Sequence, residues 1–531
     1  MPGEVAASPP VSRTAQTQHP ASKARDFVTA VRRRWISPGL SAEPGFTHLE
    51  WTCFVLLIAG AFLIRWWGLT RMHFWDECVY LLNAAFMNSV NVGYNEIESR
   101  PPLLSLIFAG VFHIWNSDYA AETVTALLNA LGPAFLYLAG RKIAGKTAAA
   151  IAALLLAFGP FFVGVFPNGF GDFVPNCTGH SLLTDCPAVT LILVSFWLML
   201  RALERESSFR FACVGFSMAL AVLMRFGSLS SVGILLLLVF AANRRARAAL
   251  ACAAGFLIAF GPYLYWSRIQ FGSYFDNLQE GWLNLGGTSE PFYYYLKELP
   301  AMISWLGIAG LAAWAIVSGW DLIRPEKSED IAQLNGALAA GRRAVSDVFL
   351  WLWALGALAF FSSLSHKESR YGIPLAPPLL LLAGIGLSTL VKNRRTAVNT
   401  ACGIALSCAL ALTFWPDHHR FDKGFIDHSV SKEMTVAQYL KQNLPSTTAL
   451  YTNKNFPDFA YYSGLNVSDI PENGPELYQA LDKLPEGSIL IAYKVGDLGD
   501  PPPEPTIDFL DSDRHFSRYR EFPTMELYWR R

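Results

Sequence analysis

Long apolar segments separated by short polar ones cover most of the chain from residue 51 onwards. A helix that crosses a bilayer needs about 20 apolar residues, and fewer where the membrane is thinned. The pattern therefore predicts eleven membrane spans, of which the fifth and sixth are short. The predicted spans are 51–69, 120–140, 147–166, 184–202, 209–224, 228–241, 249–266, 300–319, 347–364, 372–391 and 397–414.

The pattern changes at both ends of the chain. Residues 1–48 are polar and begin rich in Pro, Ser and Thr, which predicts a disordered cytoplasmic segment without a cleavable signal peptide. Beyond residue 415, TALYTNK (448–454) and GSILIAYK (487–494) have the pattern of strands, and 431–444 that of an amphipathic helix. The expected fold class is an all-α polytopic membrane protein with a small extracytoplasmic α/β domain. The three expected parts are 1–48, 49–415 and 416–531.

Composition supports a membrane protein. Hydrophobic residues make up 52% of the 531 residues and charged residues only 16%, whereas soluble domains carry about 25% charged residues. The formal net charge is zero, and no nucleic-acid partner is predicted. Among eight cysteines, Cys177 and Cys186 flank one outer loop, where they either form a disulfide or stay as two thiols.

Basic residues in the loops indicate the sidedness of the membrane helices. With a cytoplasmic N-terminus, every dense basic cluster but one falls on the cytoplasmic side. The exception is the pair Lys367 and Arg370, which is placed outside together with His366 and Glu368. We interpret this pair as a binding feature rather than a topology signal. The cytoplasmic clusters are Arg32-Arg33-Arg34, Arg141-Lys142, Arg201/Arg205/Arg210, Arg244-Arg245/Arg247, Arg342-Arg343 and Lys392/Arg394-Arg395.

The exceptional pair belongs to a hexapeptide, HKESRY (366–371), that lies between two predicted spans. Ionisable groups near hydrocarbon are costly and usually functional. Two cations, one of them a planar guanidinium, suit the binding of a phosphate. The alternative is an interfacial loop in which Lys367 and Arg370 reach lipid headgroups and Tyr371 is an ordinary aromatic-belt residue. We favour a site for an anionic, membrane-borne substrate.

Acidic residues occur on the same predicted face. Asp76 and Glu77 follow the first span and open an apolar-periodic segment typical of a helix lying on the membrane surface. Later in the same outer loop (70–119), Arg100 precedes a Pro-Pro pair that opens a second short interfacial helix. Carboxylates facing a cavity can supply a general base or bind a divalent cation.

Three further charged residues are candidates for the same site. Asp185 is expected near the N-terminus of the fourth span, where it is either a helix cap or a site carboxylate. Arg225 lies between the two short spans, and an arginine at such depth usually faces a cavity or a partner. We expect Arg225 to contact a lipid phosphate, whereas Arg100 either reaches the same cavity or caps its loop.

Taken in order, these features resemble the GT-C glycosyltransferases, in particular bacterial members of the protein-O-mannosyltransferase and aminoarabinose-transferase type. The resemblance rests on Asp76-Glu77, RPPL (100–103), TDCPA (184–188) and HKESRY, and it covers about residues 50–415. It implies a polyprenyl-phosphate donor carrying a hexose, such as mannose, or a pentose. It also implies inverting transfer to a glycan, lipid or protein acceptor, on the outer face of a bacterial inner or plasma membrane.

The resemblance also implies a role for each residue. Asp76 would be the general base, and Glu77 would support it or position the acceptor. Asp185 matches an acidic position that helps to hold a metal ion in some relatives. Either Asp76 and Asp185 bind a divalent cation (Mg²⁺, Mn²⁺ or Zn²⁺), or the transfer is independent of metal. The leaving phosphate would be neutralised by Lys367 and Arg370, in a pocket shaped by His366, Glu368 and Tyr371.

Two other functions compete with this one. A transporter or flippase of a lipid-linked sugar would also bind an anionic lipid, but such proteins commonly contain paired repeats and broken helices deep in the bilayer. No internal repeat is evident in this sequence. A polymerase or ligase of surface glycans would need phosphate-binding cations too, but the position of Asp76-Glu77 after the first span argues against it.

Overall fold

The computed structural model describes most of the chain in fourteen segments. These are residues 45–66, 73, 75–89, 99–163, 166–167, 173–174, 182–204, 206–242, 246–278, 290–323, 331–365, 367–392, 432–494 and 504–531. The predicted eleventh span (397–414), His366 and Cys177 lie outside the described residues. The structure therefore tests neither that span nor whether Cys177 and Cys186 form a disulfide or stay as two thiols.

A helical bundle makes up the first part of the described chain. Short 3-10 helices at Phe226–Ser228 and Ser369–Leu375 interrupt it, and Phe166–Pro167 (β1) pairs with Phe173–Val174 (β2) in a two-stranded sheet. Its helices are α1 (His48–Trp66), α2 (Trp75–Met87), α3 (Leu103–Ile114), α4 (Asp118–Ile143), α5 (Lys146–Phe158), α6 (Pro160–Val163), α7 (Asp185–Glu204), α8 (Ser208–Met224), α9 (Leu229–Ala242), α10 (Ala246–Phe271), α11 (Tyr294–Ile323), α12 (Ile331–Ser362) and α13 (Ala376–Lys392).

Six helical segments of the described chain are long and apolar enough to cross a membrane. They confirm a mostly helical, multi-pass membrane protein. The number of eleven spans stays a prediction. The six are His48–Trp66, Asp118–Ile143, Asp185–Glu204, Ala246–Phe271, Tyr294–Ser318 and Ser369–Thr389. Shorter apolar helices lie within four other predicted spans, at Lys146–Phe158, Ser208–Met224, Phe226–Leu237 and Asp347–Ser362.

The predicted span 147–166 is too long, because its helix α5 ends at Phe158. Gly159 is extended, with φ −62° and ψ 137°, and proline at the next position disfavours helical backbone in the residue before it. The same Gly-Pro pair is visible in the sequence and marks the break.

Small residues allow close backbone contact between α8 and α10. A Cβ atom added to Gly215 of α8 would lie 1.8 Å from the carbonyl oxygen of Cys252 in α10. One added to Gly255 of α10 would lie 1.9 Å from the carbonyl oxygen of Ala212 in α8. Such backbone contact is typical of membrane helices, whose association depends on close packing rather than on the hydrophobic effect.

Helix α2 differs from the prediction of a helix lying on the membrane surface. Every residue from Glu77 to Ala84 is buried, so the helix is covered on all sides. On one side, Tyr80 and Leu81 pack with α3 and α7 residues of the bundle. On the other side, Leu82 belongs to the hydrophobic core of the C-terminal part. The sequence pattern indicated amphipathicity because it could not reveal this second covering layer.

The C-terminal part is a mixed α/β domain, as expected. Its five-stranded sheet has the order β4-β3-β5-β7-β6, with β3 parallel to β4 and β5 and the remaining pairs antiparallel. The predicted strands and first helix are confirmed as β3, β5 and α14. The elements are α14 (Lys432–Asn443), β3 (Leu450–Thr452), α15 (Phe456–Ser463), β4 (Val467–Asp469), α16 (Gly474–Asp482), β5 (Ile489–Tyr493), α17 (Ile507–Ser512), β6 (Phe516–Glu521) and β7 (Met525–Arg530).

Alternating side chains of β5 divide this domain into two cores. Ile489 and Ile491 pack on the face covered by α14 and α15. Leu490 and Ala492 pack on the opposite face, against α16 and α17. Because both faces are buried, the strand appears in the sequence as a short continuous apolar run.

A buried polar cluster joins the C-terminal domain to the bundle. The Tyr461 hydroxyl donates to Asp118, and the Tyr462 hydroxyl accepts from the backbone N–H of His73 at 2.7 Å. His73 Nε2 lies 3.5 Å from Asp118 Oδ2 and 3.9 Å from Glu122 Oε1. Burial lowers the pKa of His73, but the hydrogen bond to Asp118 and the nearby carboxylates outweigh it and leave this pKa raised.

Candidate active site

A cavity of about 650 Å³ opens where α2, the 3-10 helices and the C-terminal domain meet. Its walls combine charged, apolar and aromatic side chains, and they come from segments that are far apart in the sequence. The lining residues are Trp75, Asp76, Tyr80, Ser99, Arg100, Pro101, Thr184, Arg225, Phe226, Gly227, Leu278, Phe360, Phe361, Leu364, Glu368, Arg370, Tyr371, Phe456 and Asp469.

Asp76 lies at the start of α2 and faces two arginines. Its Oδ2 is 2.9 Å from Arg370 Nη1, and its Oδ1 is 3.4 Å from Arg100 Nη2. Burial raises the pKa of this carboxyl, but the guanidinium groups of Arg370 and Arg100 outweigh burial and hold the pKa below its ordinary value. Asp76 is therefore ionised at neutral pH, as a general base must be.

A second ion pair lies deeper in the same region. Arg225 Nη1 is 2.7 Å from Asp185 Oδ1, and Asp185 is buried at the N-terminus of α7. The Arg225 guanidinium also lies 4.8 Å from the ring centroid of Tyr371, a cation–π distance. Arg225 comes between α8 and the following 3-10 helix, so a local break in the helices brings its charge to the cavity.

Within the hexapeptide HKESRY, Glu368 is the N-cap residue of the second 3-10 helix, and Ser369, Arg370 and Tyr371 are its first three residues. Glu368 accepts from Arg370 and, at 3.0 Å, from the Tyr371 hydroxyl. Ser369 Oγ lies 3.0 Å from the Tyr294 hydroxyl. These contacts fix Arg370 between Glu368 and Asp76, so this guanidinium is oriented before any ligand binds.

Three of the predicted site residues that the structure describes do not line the cavity: Lys367, Glu77 and Asp185, the last of which pairs with Arg225. Lys367 is buried, and its Nζ donates to the backbone carbonyl of Glu290 at 2.9 Å. Glu77 is also buried, and its Oε1 accepts from the backbone N–H of Leu182 at 2.7 Å. Direct contact of either with the donor or acceptor is therefore not supported by this geometry. A helical turn of 3.6 residues explains the result for Glu77, because neighbours on a helix point about 100° apart.

Two residues at the site were not predicted from the sequence: Trp75, which lines the cavity, and Asn277, which supports Arg100 from behind the wall. Trp75 places its ring 4.8 Å below the Arg100 guanidinium, a second cation–π contact. Asn277 is fully buried beyond the end of α10, where its Nδ2 donates to the Arg100 carbonyl oxygen at 3.3 Å and its Oδ1 accepts from Ser99 Oγ at 2.6 Å. Proximity to Asp76 could have pointed to Trp75, but nothing local could have pointed to Asn277.

The two carboxylates suggested as metal ligands do not fit a divalent cation. Asp76 faces Arg370 and Arg100, and Asp185 faces Arg225, so each negative charge is already balanced by a guanidinium. Within the described part of the chain, no group of three or more His, Cys, Asp or Glu side chains is arranged to hold a metal ion. We derive no step through a metal.

Comparisons with known proteins agree with this architecture. Residues 99–266 match the family model described as dolichyl-phosphate-mannose-protein mannosyltransferase. No curated protein matches the chain significantly. The sequence match therefore covers the segment from α3 to α10 and ends before the arginine-bearing hexapeptide.

Solved structures extend the likeness over nearly the whole chain. ArnT from Cupriavidus metallidurans, in complex with undecaprenyl phosphate, is 15% identical, with a TM-score of 0.61 over 91% of this chain and 98% of that chain. The oligosaccharyltransferase from Archaeoglobus fulgidus, tethered to an acceptor peptide, is 12% identical, with a TM-score of 0.53 over 84% of this chain and 69% of that one. The chain therefore has the overall fold of these solved proteins, as the resemblance implied.

Proposed function

We propose that this protein is a membrane glycosyltransferase that moves a sugar from a polyprenyl-phosphate donor to an acceptor on the extracytoplasmic face. One observation carries the proposal: the ionised Asp76 and three arginines (Arg100, Arg225 and Arg370) line a single cavity. This combination places a base beside three guanidinium groups, each of which is a suitable ligand for a phosphate. The similarity to an ArnT structure that contains undecaprenyl phosphate and to the mannosyltransferase family model supports the same donor class.

The arginines suit the donor phosphate. Arg370 and Arg225 lie on either side of Tyr371, with their guanidinium carbons 5.5 Å and 4.8 Å from its ring centroid. Planar guanidinium groups bind phosphate oxygens in a bidentate manner. They would stabilise the negative charge that grows on the phosphate as the bond to the sugar breaks.

The apolar wall suits the prenyl chain. Phe226, Leu278, Phe360, Phe361 and Leu364 line the cavity beside the arginines. These side chains offer the prenyl chain an apolar contact surface similar to that of the lipid tails around it. The cavity therefore pairs an anion site with an apolar surface, which is the chemistry of a lipid phosphate rather than of a soluble sugar nucleotide.

Asp76 is the proposed general base. It takes the proton from an acceptor hydroxyl, whose oxygen then attacks the anomeric carbon while the bond to the phosphate oxygen breaks. The electron pair of that bond leaves on the polyprenyl phosphate, next to the arginines. A single displacement of this kind inverts the anomeric configuration.

Donor binding would also release the base. In the unliganded chain, Arg370 and Arg100 hold Asp76 through ion pairs of 2.9 Å and 3.4 Å. A donor phosphate competes with Asp76 for the same guanidinium groups. As they move towards the phosphate, the pKa of Asp76 rises towards its ordinary value and the carboxylate becomes a better base.

The proposed setting is the one expected from the loop charges: eleven spans, a cytoplasmic N-terminus and a cavity that opens outwards. The cavity lies under the C-terminal domain, which requires that domain to be on the same side as HKESRY. A bacterial inner or plasma membrane fits this arrangement.

The experiment that tests the proposal uses membranes containing the full chain and a panel of radiolabelled undecaprenyl-phosphate sugars. Transfer moves the label from the lipid to a product that no longer partitions with undecaprenyl phosphate. A flippase would instead leave the label on the lipid and change only its leaflet. Absence of transfer with all hexose and pentose donors would contradict the proposed function.

A further inference from the structure

The C-terminal domain forms part of the cavity wall. Phe456, the first residue of α15, and Asp469, the last residue of β4, both line the cavity. The Phe456 ring lies edge-on to Trp75, with 6.3 Å between the ring centroids. Because Trp75 directly precedes Asp76, this wall adjoins the proposed base.

The sheet of this domain has the strand order of a doubly wound fold. From β3 the chain passes through α15 to β4 on one side, and from β4 it passes through α16 to β5 on the other side of β3. Helices α15 and α16 lie on opposite faces of the sheet. Open α/β sheets bind ligands beyond the carboxyl ends of their parallel strands, at the point where the strand order reverses, which here lies between β3 and β5.

The carboxyl ends of β3 and β4 are at Thr452 and Asp469, which are partners in the parallel pairing. Asp469 therefore lies on the edge of the sheet at which such ligands bind, one strand away from the crevice between β3 and β5.

We propose that this wall is an acceptor subsite, in which Asp469, Trp75 and Phe456 bind a neutral, hydroxyl-bearing sugar. The inference rests on the proposed function, which already assigns the arginines to the donor phosphate and the apolar wall to the prenyl chain. A carboxylate accepts hydrogen bonds from sugar hydroxyls and disfavours an anionic acceptor. Aromatic side chains offer an apolar surface for the C–H groups of a sugar ring.

The binding test uses the full chain in nanodiscs containing undecaprenyl phosphate, with methyl α-mannopyranoside as the probe. Saturation-transfer NMR measures contact between the sugar and the protein. The variants are Asp469→Asn and Asp469→Lys. The matched control is Glu476→Gln, which changes an exposed carboxylate of the same domain that does not line the cavity.

We expect equal saturation transfer for the wild type and Glu476→Gln. For both Asp469 variants we expect a loss of about tenfold or more, the size of one lost hydrogen bond to a charged group. Undecaprenyl phosphate affinity should stay within about twofold, since separated sites act additively. No signal in the wild type, or an undiminished signal in Asp469→Lys, would overturn the subsite. Loss of undecaprenyl phosphate binding in these variants would place Asp469 in the donor site instead.

The two proposals can fail separately. If the wild type does not bind undecaprenyl phosphate, the donor assignment is wrong, yet the sugar signal and its dependence on Asp469 still decide the subsite. If donor is bound and label is transferred, the Asp469 variants should lower the ratio of transfer to membrane acceptor over hydrolysis of the donor by water. An unchanged ratio contradicts the acceptor subsite and leaves the glycosyltransferase assignment intact.

Discussion

Replacement of Asp76 by Asn is expected to affect donor binding and sugar transfer in opposite directions. The carboxylate holds Arg370 at 2.9 Å and Arg100 at 3.4 Å, so it competes with the donor phosphate for both. Asp76→Asn removes this competitor and also removes the base. Undecaprenyl phosphate should bind more tightly while transfer is lost.

The size of the binding effect follows from the geometry. Two unit charges at 4 Å attract by about 4 kcal/mol at an effective dielectric constant of about 20. All three side chains keep some exposure, between 17% and 27%, so solvent screening reduces the net gain to about 1–2 kcal/mol. Each 1.4 kcal/mol corresponds to about a tenfold change in affinity. Undecaprenyl phosphate should therefore bind Asp76→Asn about five to thirty times more tightly.

Transfer should fall by about 10²–10⁴-fold in Asp76→Asn, the usual contribution of a general base. Arg370→Ala provides the opposite case, because it removes a charge-assisted contact of about 1.5–3 kcal/mol and should weaken donor binding. Affinity is measured by titrating undecaprenyl phosphate against the chain in nanodiscs, and transfer with the labelled donor. Asp508→Asn, an exposed change in α17, serves as the control.

The pH dependence of sugar transfer tests the same ion pairs in a second way. Because the pKa of Asp76 is lowered in the unliganded chain, kcat/KM should lose activity only at pH values below the ordinary carboxyl range. Once donor phosphate has drawn the arginines away, the pKa rises, so the acidic limb of kcat should lie at higher pH than that of kcat/KM. Weaker donor binding by Asp76→Asn would refute the proposal that the arginines move from Asp76 to the donor phosphate. Acidic limbs of kcat and kcat/KM at the same pH would refute it too.

Other parts of the structure give further predictions. Arg225→Gln should destabilise the protein by about 3–5 kcal/mol because it leaves Asp185 buried and unpaired, and adding Asp185→Asn should restore the thermal midpoint but not transfer. His73 has a raised pKa, so protonated His73 stabilises the folded protein fully below the pKa of an unfolded-state histidine. This stabilisation is lost as pH rises through the pKa of His73 in the folded protein. The thermal midpoint measured against pH should show this loss in the wild type and not in His73→Gln. EDTA should leave transfer unchanged, and a loss restored by Mg²⁺, Mn²⁺ or Zn²⁺ would contradict our treatment of the carboxylates. Reporter fusions after Leu364 and after Trp415 should both report an outside location, and a cytoplasmic signal from either would break the eleven-span arrangement.

Much of the fold could be predicted from periodicity, because apolar length and alternation are local properties of the sequence. The span at 120–140 and the strand at 487–494 were recognisable in this way and correspond to α4 and β5. The start of α11 was placed six residues too late, since the helix begins at Tyr294 and the predicted span at 300. Its aromatic first turn lacks the hydropathy of a span but contacts Ser369.

The charged half of the site was predictable for a different reason. Ionisable residues beside membrane spans are expensive, so Asp76, Arg225 and Arg370 stand out against their apolar surroundings. Their pairing was not predictable, because the contact between Arg370 and Asp76 joins positions 294 residues apart in the sequence. Lys367 shows the limit of the argument: it has the same charge and lies three residues from Arg370, but it binds a backbone carbonyl away from the cavity.

Helix α2 explains why the two domains form one site. Its Leu82 belongs to the core of the C-terminal domain, while Tyr80 and Leu81 belong to the core formed with the bundle. The helix begins with Trp75 and Asp76, so both cores determine where the proposed base lies relative to Arg370. The edge-on contact of Trp75 with Phe456 then ties this base to the wall that carries Asp469. A C-terminal domain that only covered the cavity would not need to pack against α2. A domain that positions an acceptor against Asp76 would need this contact, because α2 carries Asp76.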